Sequence, residues 1–227
     1  MSQPTNHDLA LRMAELARSL VPKPSLDTIL AEVTAAAVDL IPGVDTAGIL
    51  LLERGGKFSS VATTSELPAQ LDILQVTFDE GPCVQAALAD TVVRTEDFRL
   101  ETRWPQYSPA VAEIGVLSGL SFKLYTADRT AGALNLFGFE PNQWSSEAET
   151  VGTILAAHAA SAIITTQAQT QLNAALLSRD RIGQAKGMIM ERFGVDAVRA
   201  FSMLRQLSQE GNVKLTDIAQ RVIDSRV

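Results

Sequence analysis

The residues with the most chemistry to offer lie near the C-terminal end of the chain, in Arg179-Asp-Arg-Ile-Gly-Gln-Ala-Lys-Gly-Met-Ile-Met-Glu-Arg-Phe193. On a helix at 100° per residue, Ile182, Ala185, Ile189 and Phe193 share one narrow stripe, the kind that faces a core. Lys186 falls at the edge of that stripe, where a binary pattern wants an apolar residue. Gly183 and Gly187 stand four apart on the adjoining face, with Arg179 and Met190 nearby. Each glycine costs a helix interior about 1 kcal/mol relative to alanine, so two of them beside a lysine mark a face that something approaches closely. Two occupants fit. One is a partner helix packed on G-x-x-x-G, with the lysine stem lying along it. The other is a polyanion drawn to the lysine and arginine. The geometry leaves both open.

Catalytic and metal chemistry find little support. The two histidines are His7, near the terminus, and His158, which has no paired carboxylate or thiol at a helpful spacing and reads as a packed or interface residue. One cysteine, Cys83, and no His/Asp/Glu cluster argue against a metal site, and no glycine-rich strand-to-helix loop is suited to a phosphate. No catalytic set and no cofactor are expected, and the protein reads as a non-enzyme. Cys83 follows Asp79-Glu-Gly-Pro at the start of an expected helix, which would favour its thiolate. The simpler reading is a small buried residue.

Composition narrows the class further. The chain has 227 residues, 46% of them hydrophobic, enough for one generous domain or two modest ones. Its mean hydropathy of +0.11 is ordinary for a chain with a full core. A lone cysteine fits a reducing cytoplasm, the polar N-terminus lacks the apolar run of a signal peptide, and Ile154 to Ile164 is too short for a membrane span. A cytoplasmic location is therefore expected. The net charge of −7 is uneven: residues 178–227 carry nine Lys/Arg against six Asp/Glu, and residues 1–177 carry ten against twenty. A tail of +3 on a body of −10 suits an anion-binding module attached to a separate domain.

The elements that must position these residues follow from periodicity. Residues 8–20 put Leu9, Met13, Leu16 and Leu20 on one helical face, ended by Pro22 and Pro24. Ser25 opens a second helix with Leu26, Ile29, Leu30, Val33 and Ala37 inward, closed by Pro42-Gly43. Strands are expected at 44–52 and 57–63 around the turn Gly55-Gly56, at 91–94, and at 118–126 and 130–139 around Asp128-Arg129. Between them lie a helix or structured loop at 66–76, a helix from Pro82 to Ala89 and another at 106–113. Ser146-Glu-Ala-Glu149 reads as a capping box that starts a helical pattern running without proline to Phe193, 48 residues or about 70 Å. Small or apolar residues recur every seventh position, at Ile154, Ser161, Ala168, Ala175, Ile182 and Ile189, which predicts a weak coiled coil and a homodimer. Thr165 to Gln171 is polar on nearly every face and is the expected domain boundary.

Two resemblances add to this reading. The stretch from Arg179, continued by Ala200-Phe201-Ser-Met-Leu204-Arg205, Ser208, Asn212-Val-Lys-Leu215 and Asp217-Ile218-Ala219, resembles the ANTAR family, RNA-binding modules of bacterial antitermination regulators. Upstream, the order of helices and antiparallel strands resembles the GAF family of sensory domains, with Arg103-Trp104-Pro105 and Gly132-Ala-Leu-Asn-Leu136 as its local likenesses. The fold class implied is α+β: a GAF-like domain with a central antiparallel sheet and flanking helices, joined by a long coiled-coil helix to a three-helix ANTAR-like module. The corresponding segments are an N-terminal helix at 1–24, the sensory domain at 25–165, and the helical linker with the RNA-binding domain at 166–227.

The resemblance implies transcription antitermination by binding paired hairpins in nascent RNA. It carries RNA contact onto Ala185 and Lys186; the helical geometry adds Arg179, Gly183 and Gly187. The expected partners are a two-hairpin RNA, a second copy of the chain and an unidentified small-molecule ligand of the GAF-like domain, with no membrane. No receiver-like acidic site appears, so phosphorylation is not the expected input. Two other classes stay open: a helical DNA-binding regulator, and a signalling scaffold whose Gly183/Gly187 face grips a partner helix.

Overall fold

The computed structural model describes residues 25–52, 57–83, 91–125 and 130–225. The helix expected at 8–20, the turns at Gly55-Gly56 and Asp128-Arg129, and most of the helix expected from Pro82 to Ala89 lie outside them. In chain order the elements are α1 (Leu26–Leu40), β1 (Thr46–Leu52), β2 (Phe58–Val61), α2 (Leu67–Phe78), β3 (Val92–Thr95), α3 (Tyr107–Glu113), β4 (Ser118–Tyr125), β5 (Thr130–Gly138), α4 (Ser146–Phe193), α5 (Ala197–Glu210) and α6 (Leu215–Asp224). The expected α+β architecture is present. By internal packing the chain forms two compact units, which divide between Thr166 and Gln167 within α4.

The first unit is built on a five-stranded antiparallel sheet of order β2-β1-β5-β4-β3. Strand alternation sends Ile49, Leu120, Phe122, Leu134 and Leu136 to one face, where they meet Leu30, Val33 and Ala37 of α1 and Leu155, Ala159 and Ile163 of α4. The opposite face carries Val93 and Phe137, packed with Leu71 of α2 and the aromatics Phe98, Trp104 and Tyr107, whose ring centroids lie 6.0–6.5 Å apart, with Tyr107 edge-on to the other two. Both faces are covered, as the mostly apolar β1 predicts. Gly152 brings α4 against the sheet: a Cβ there would stand 2.2 Å from Cζ of Phe122.

The second face also holds a buried polar cluster. Asp72 of α2 accepts hydrogen bonds from Ser60 (2.6 Å), the Gln75 amide (3.2 Å) and the Asn135 amide (3.3 Å). Asn135 Oδ1 in turn accepts from Ser121 (2.7 Å), and Gln75 Oε1 accepts from the Cys83 backbone N–H (2.8 Å). Burial outweighs these donors and pushes the Asp72 carboxyl up to about 6. Cys83 is buried, and burial first, then the nearby Asp72 charge, push its thiol up. A buried thiol raised in this way holds little thiolate, which suits the simpler of the two readings of that cysteine.

The helix ends show what sequence patterning reads well and poorly. Ser25 caps α1 as expected, accepting from the Thr28 N–H at 3.2 Å. At α4 the expected capping box is displaced by one residue. Ser145 is the cap, its Oγ accepting from the Ala148 N–H at 3.1 Å, and Glu149 reaches instead to Arg94 of β3 at 2.7 Å.

From there α4 runs unbroken for 48 residues. By length and composition it contains one stretch apolar enough to cross a membrane, a longer one than the sequence reading recognised. That apolarity has an internal use, since Val151, Leu155, Ala156, Ala159, Ala160 and Ile163 are all buried in the first unit.

The second unit is a three-helix module made by the last part of α4 with α5 and α6. Its core is small: Ala185 and Ile189, Ala200 and Leu204, Ile218 and Ala219. Gly194 ends α4 at φ +63°, and Asp196 caps α5 by accepting from the Arg199 N–H at 2.7 Å. Phe193 is expected on the core stripe, yet it is exposed: it is the last residue of α4, and the buried part of that stripe ends with Ile189.

Candidate nucleic-acid interface

Three of the five expected contact residues come together on the second unit. Arg179, Gly183 and Lys186 line one open hollow of about 650 Å³ on α4, with Asp180, Ile182 and, from α5, Phe201. The helical period produces this, since positions 179, 183 and 186 are four and three apart and so share a face. Arg179 and Gly183 are exposed and Lys186 is half-buried, its stem beside Ile182 and its position at the core's edge as the pattern predicts. Among the described residues neither cation is in an ion pair; the pairs found, such as Arg99–Asp97 and Arg103–Glu101, lie in the first unit.

Gly187 is exposed on the neighbouring surface outside the hollow. A Cβ added at Gly183 or Gly187 would meet nothing within 4 Å. Among the described residues, therefore, no neighbouring helix is seated against either glycine. Ala185, the fifth expected contact, is fully buried among Ile189, Ala200, Leu204 and Ala219, so in this structure its methyl packs the core. Its place on the Ile182–Ile189 stripe already points inward.

Phe201 also lines the hollow, a place that the sequence expectations did not give it. The available signal was its offset on α5, where Ala200 and Leu204 mark the buried stripe and Phe201 lies 100° from Ala200.

The first unit has a pocket of a different kind, an apolar cleft of about 380 Å³ between α4 and the β3/β4 side of the sheet, lined by Val92, Phe122, Ala156, Ala160 and Ile164 among others. Among the described residues no cluster of His, Cys, Asp or Glu is arranged to hold a metal ion.

Comparison with known proteins matches both units. Residues 23–164 fit the model of the GAF domain, and residues 170–223 that of the ANTAR domain. The chain is a GAF–ANTAR regulator.

The GAF domain of a phosphoenolpyruvate-protein phosphotransferase from Coxiella burnetii superposes with a TM-score of 0.60 at 18% identity, covering 74% of this chain and 99% of that one. The corresponding domain from Acinetobacter gives 0.57 at 18%, covering 72% and 96%. A domain of a sensor histidine kinase protein from Sinorhizobium meliloti gives 0.55 at 14%, covering 66% and 98%. At such identities the likeness is one of fold. No curated protein sequence matches the chain. The GAF–ANTAR architecture is that of RNA-binding antitermination regulators with a sensory domain, and no catalytic domain is identified in it.

Proposed function

We propose that this GAF–ANTAR regulator binds paired hairpins in nascent RNA and so keeps a terminator from forming, with residues 166–227 as the RNA-binding part and residues 25–165 as the sensory part. The observation that carries the reading is the open hollow in which Arg179, Gly183 and Lys186 meet; among the described residues neither cation is in an ion pair and no side chain lies over the glycine. RNA loops present splayed bases and phosphates, and basic side chains beside bare helix backbone are suited to meet them. The regulator acts in the cytoplasm, and its GAF domain takes a small-molecule ligand, for which the cleft beside Phe122 offers an apolar seat.

A homodimer completes the reading. Ile154, Ser161, Ala168 and Ala175, spaced by seven, are all exposed, with Leu172 and Leu176 exposed among them, so a second copy has a seam to pack on. Ile182 and Ile189 pack within their own three-helix module and are not available to it. Two tails in one dimer meet two tandem hairpins at high effective concentration.

The test is Lys186→Ala against a two-hairpin RNA over a salt series, with Lys57→Ala as control. Loss of a phosphate contact weakens binding by about 1 to 2 kcal/mol and lowers the salt slope by about one unit or less, while helicity stays intact. Unchanged affinity across the series would move the interface away from this face, to Lys214 or Arg205. The open surface over Gly183 and Gly187 also suits a partner protein's helix. Absence of any RNA binding by the full chain, with duplex DNA tested alongside, would favour that reading.

A further inference from the structure

The three-helix core leaves two aromatic residues exposed, Phe193 at the end of α4 and Phe201 on α5, and Phe201 is the one that lines the hollow. Helix α5 buries Ala200 and Leu204 completely, whereas Phe201 keeps 42% of its surface exposed and faces the hollow that holds Arg179 and Lys186. The core it borders is small, with three alanines and a leucine fully buried at its centre, and Phe201 is not among its buried members. What the ring does have is company. Two cations that form no ion pair among the described residues and the open backbone at Gly183 share the hollow with it, and Asp180 stands on the same lining.

An exposed ring with cations beside it is the arrangement that binds unstacked bases. Every base has a π face to lay on the ring, and its flanking phosphates need positive charge close by. Bare helix backbone at Gly183 leaves room for the sugar. We infer that Phe201 is the stacking platform for one unpaired base of an RNA loop, with Arg179 and Lys186 on the phosphates to either side and Asp180 accepting from an N–H on the edge of that base. The inference rests on the RNA reading above and names which part of the RNA the hollow takes. A ring in this position gives the site a preference for a looped base over a paired helix, which Lys186 and Arg179 alone, as charges, do not supply.

The experiment combines a protein change with the removal of single bases. The probe is a synthetic two-hairpin RNA, copied from a transcript crosslinked to the full-length protein, in which each loop position in turn is made abasic with its sugar and phosphate kept. Wild-type protein should lose roughly five- to a hundredfold in affinity at one loop position, the range of a stacked base. Phe201→Leu should bind the intact RNA more weakly by a similar factor and be indifferent to the base at that position. Phe201→Tyr should restore both the affinity and the sensitivity. Phe201→Met, which keeps apolar bulk without a ring, repeats the test should the leucine variant fold poorly. If wild type binds the RNA and the ringless variants match it on every abasic loop, the stacking role is wrong while the RNA reading stands. If wild type binds no RNA, both fall together.

Discussion

The Arg94 guanidinium donates to the Glu149 carboxylate at 2.7 Å and to the Trp144 carbonyl at 2.5 Å, so a single side chain on β3 closes the edge of the sheet against the start of α4. Its third partner is Glu96, and Trp144 answers with its own indole N–H on the Thr95 carbonyl at 3.0 Å. The charged groups are about a third exposed, so the ion pair itself is worth little and the carbonyl contact matters as much. Glu149→Gln should cost at most about 1 kcal/mol of unfolding free energy, and less in high salt. Arg94→Met also removes the donor to the Trp144 carbonyl and should cost about 1 to 3 kcal/mol. Urea unfolding of the two variants at low and high salt checks both, and equal losses would mean that the Trp144 contact contributes nothing.

The buried Asp72 predicts a pH dependence of opposite sign to that of an ion-paired carboxylate. Its carboxyl is raised from 3.8 to about 6 in the folded chain, so the folded state holds the proton more tightly than the unfolded one. Its contribution to stability is therefore greatest at the acid end, falls as pH rises through that window, and is level above it. Asp97, lowered by its hydrogen bonds to Arg99, contributes the other way and loses stability as the pH drops. The difference in unfolding free energy between wild type and Asp72→Asn isolates the first effect. It should shift in favour of the asparagine variant from about pH 4 to about pH 6 and stay constant beyond; a flat difference would place the Asp72 proton outside that window.

Two glycines of α4 should respond to alanine in opposite ways. At Gly152 the new methyl would stand 2.2 Å from the buried Phe122 ring, and overpacking of that kind costs roughly 1 to 3 kcal/mol, more than the better helix propensity returns. At Gly183 the methyl meets nothing, so Gly183→Ala should stabilise the chain by about 0.5 to 1 kcal/mol while weakening RNA binding. Thermal unfolding and an RNA titration on the same two proteins decide it. A Gly183→Ala variant both more stable and fully able to bind would remove the close approach proposed at that residue.

The proposed dimer has an equally direct test. Leu172 and Leu176 expose 56% and 51% of their surfaces on the part of α4 between its two packed ends. Leu172→Asp/Leu176→Asp should turn a particle of twice the chain mass into one of single mass in sedimentation, and should weaken binding to two tandem hairpins more than to one. Single mass for the wild-type chain would remove the dimer.

Much of this arrangement was legible because it depends on short-range pattern. The unbroken α4 follows from a lack of proline and a run of helix formers, and the strand order in time follows from alternation between turn residues. The faults come where a distant residue decides. Glu149 has the right spacing for a capping box, but Arg94, fifty-five positions away, takes its carboxylate and leaves Ser145 to cap alone. Lys186, Arg179 and Gly183 could be placed on one face from the helical period, whereas Phe201 joins them only because α5 folds back onto α4. Nothing local to Asp72 announces its burial either, since its partners Ser60 and Asn135 arrive from two different strands.

The exposed run from Ala168 to Leu177 has a consequence for how α4 opens. No side chain of that run is buried among the described residues, so few apolar contacts hold those turns in the single chain, and local opening costs little free energy. In a lone chain, amide hydrogens from Ala168 to Leu177 would exchange quickly, while those around Leu155 and Ala159, and around Ala185 and Ile189, wait for larger openings. A helix slow to exchange at both ends and fast in the middle would thus be the signature of the isolated chain. Uniform slowness along its length would report that something lies on the middle turns.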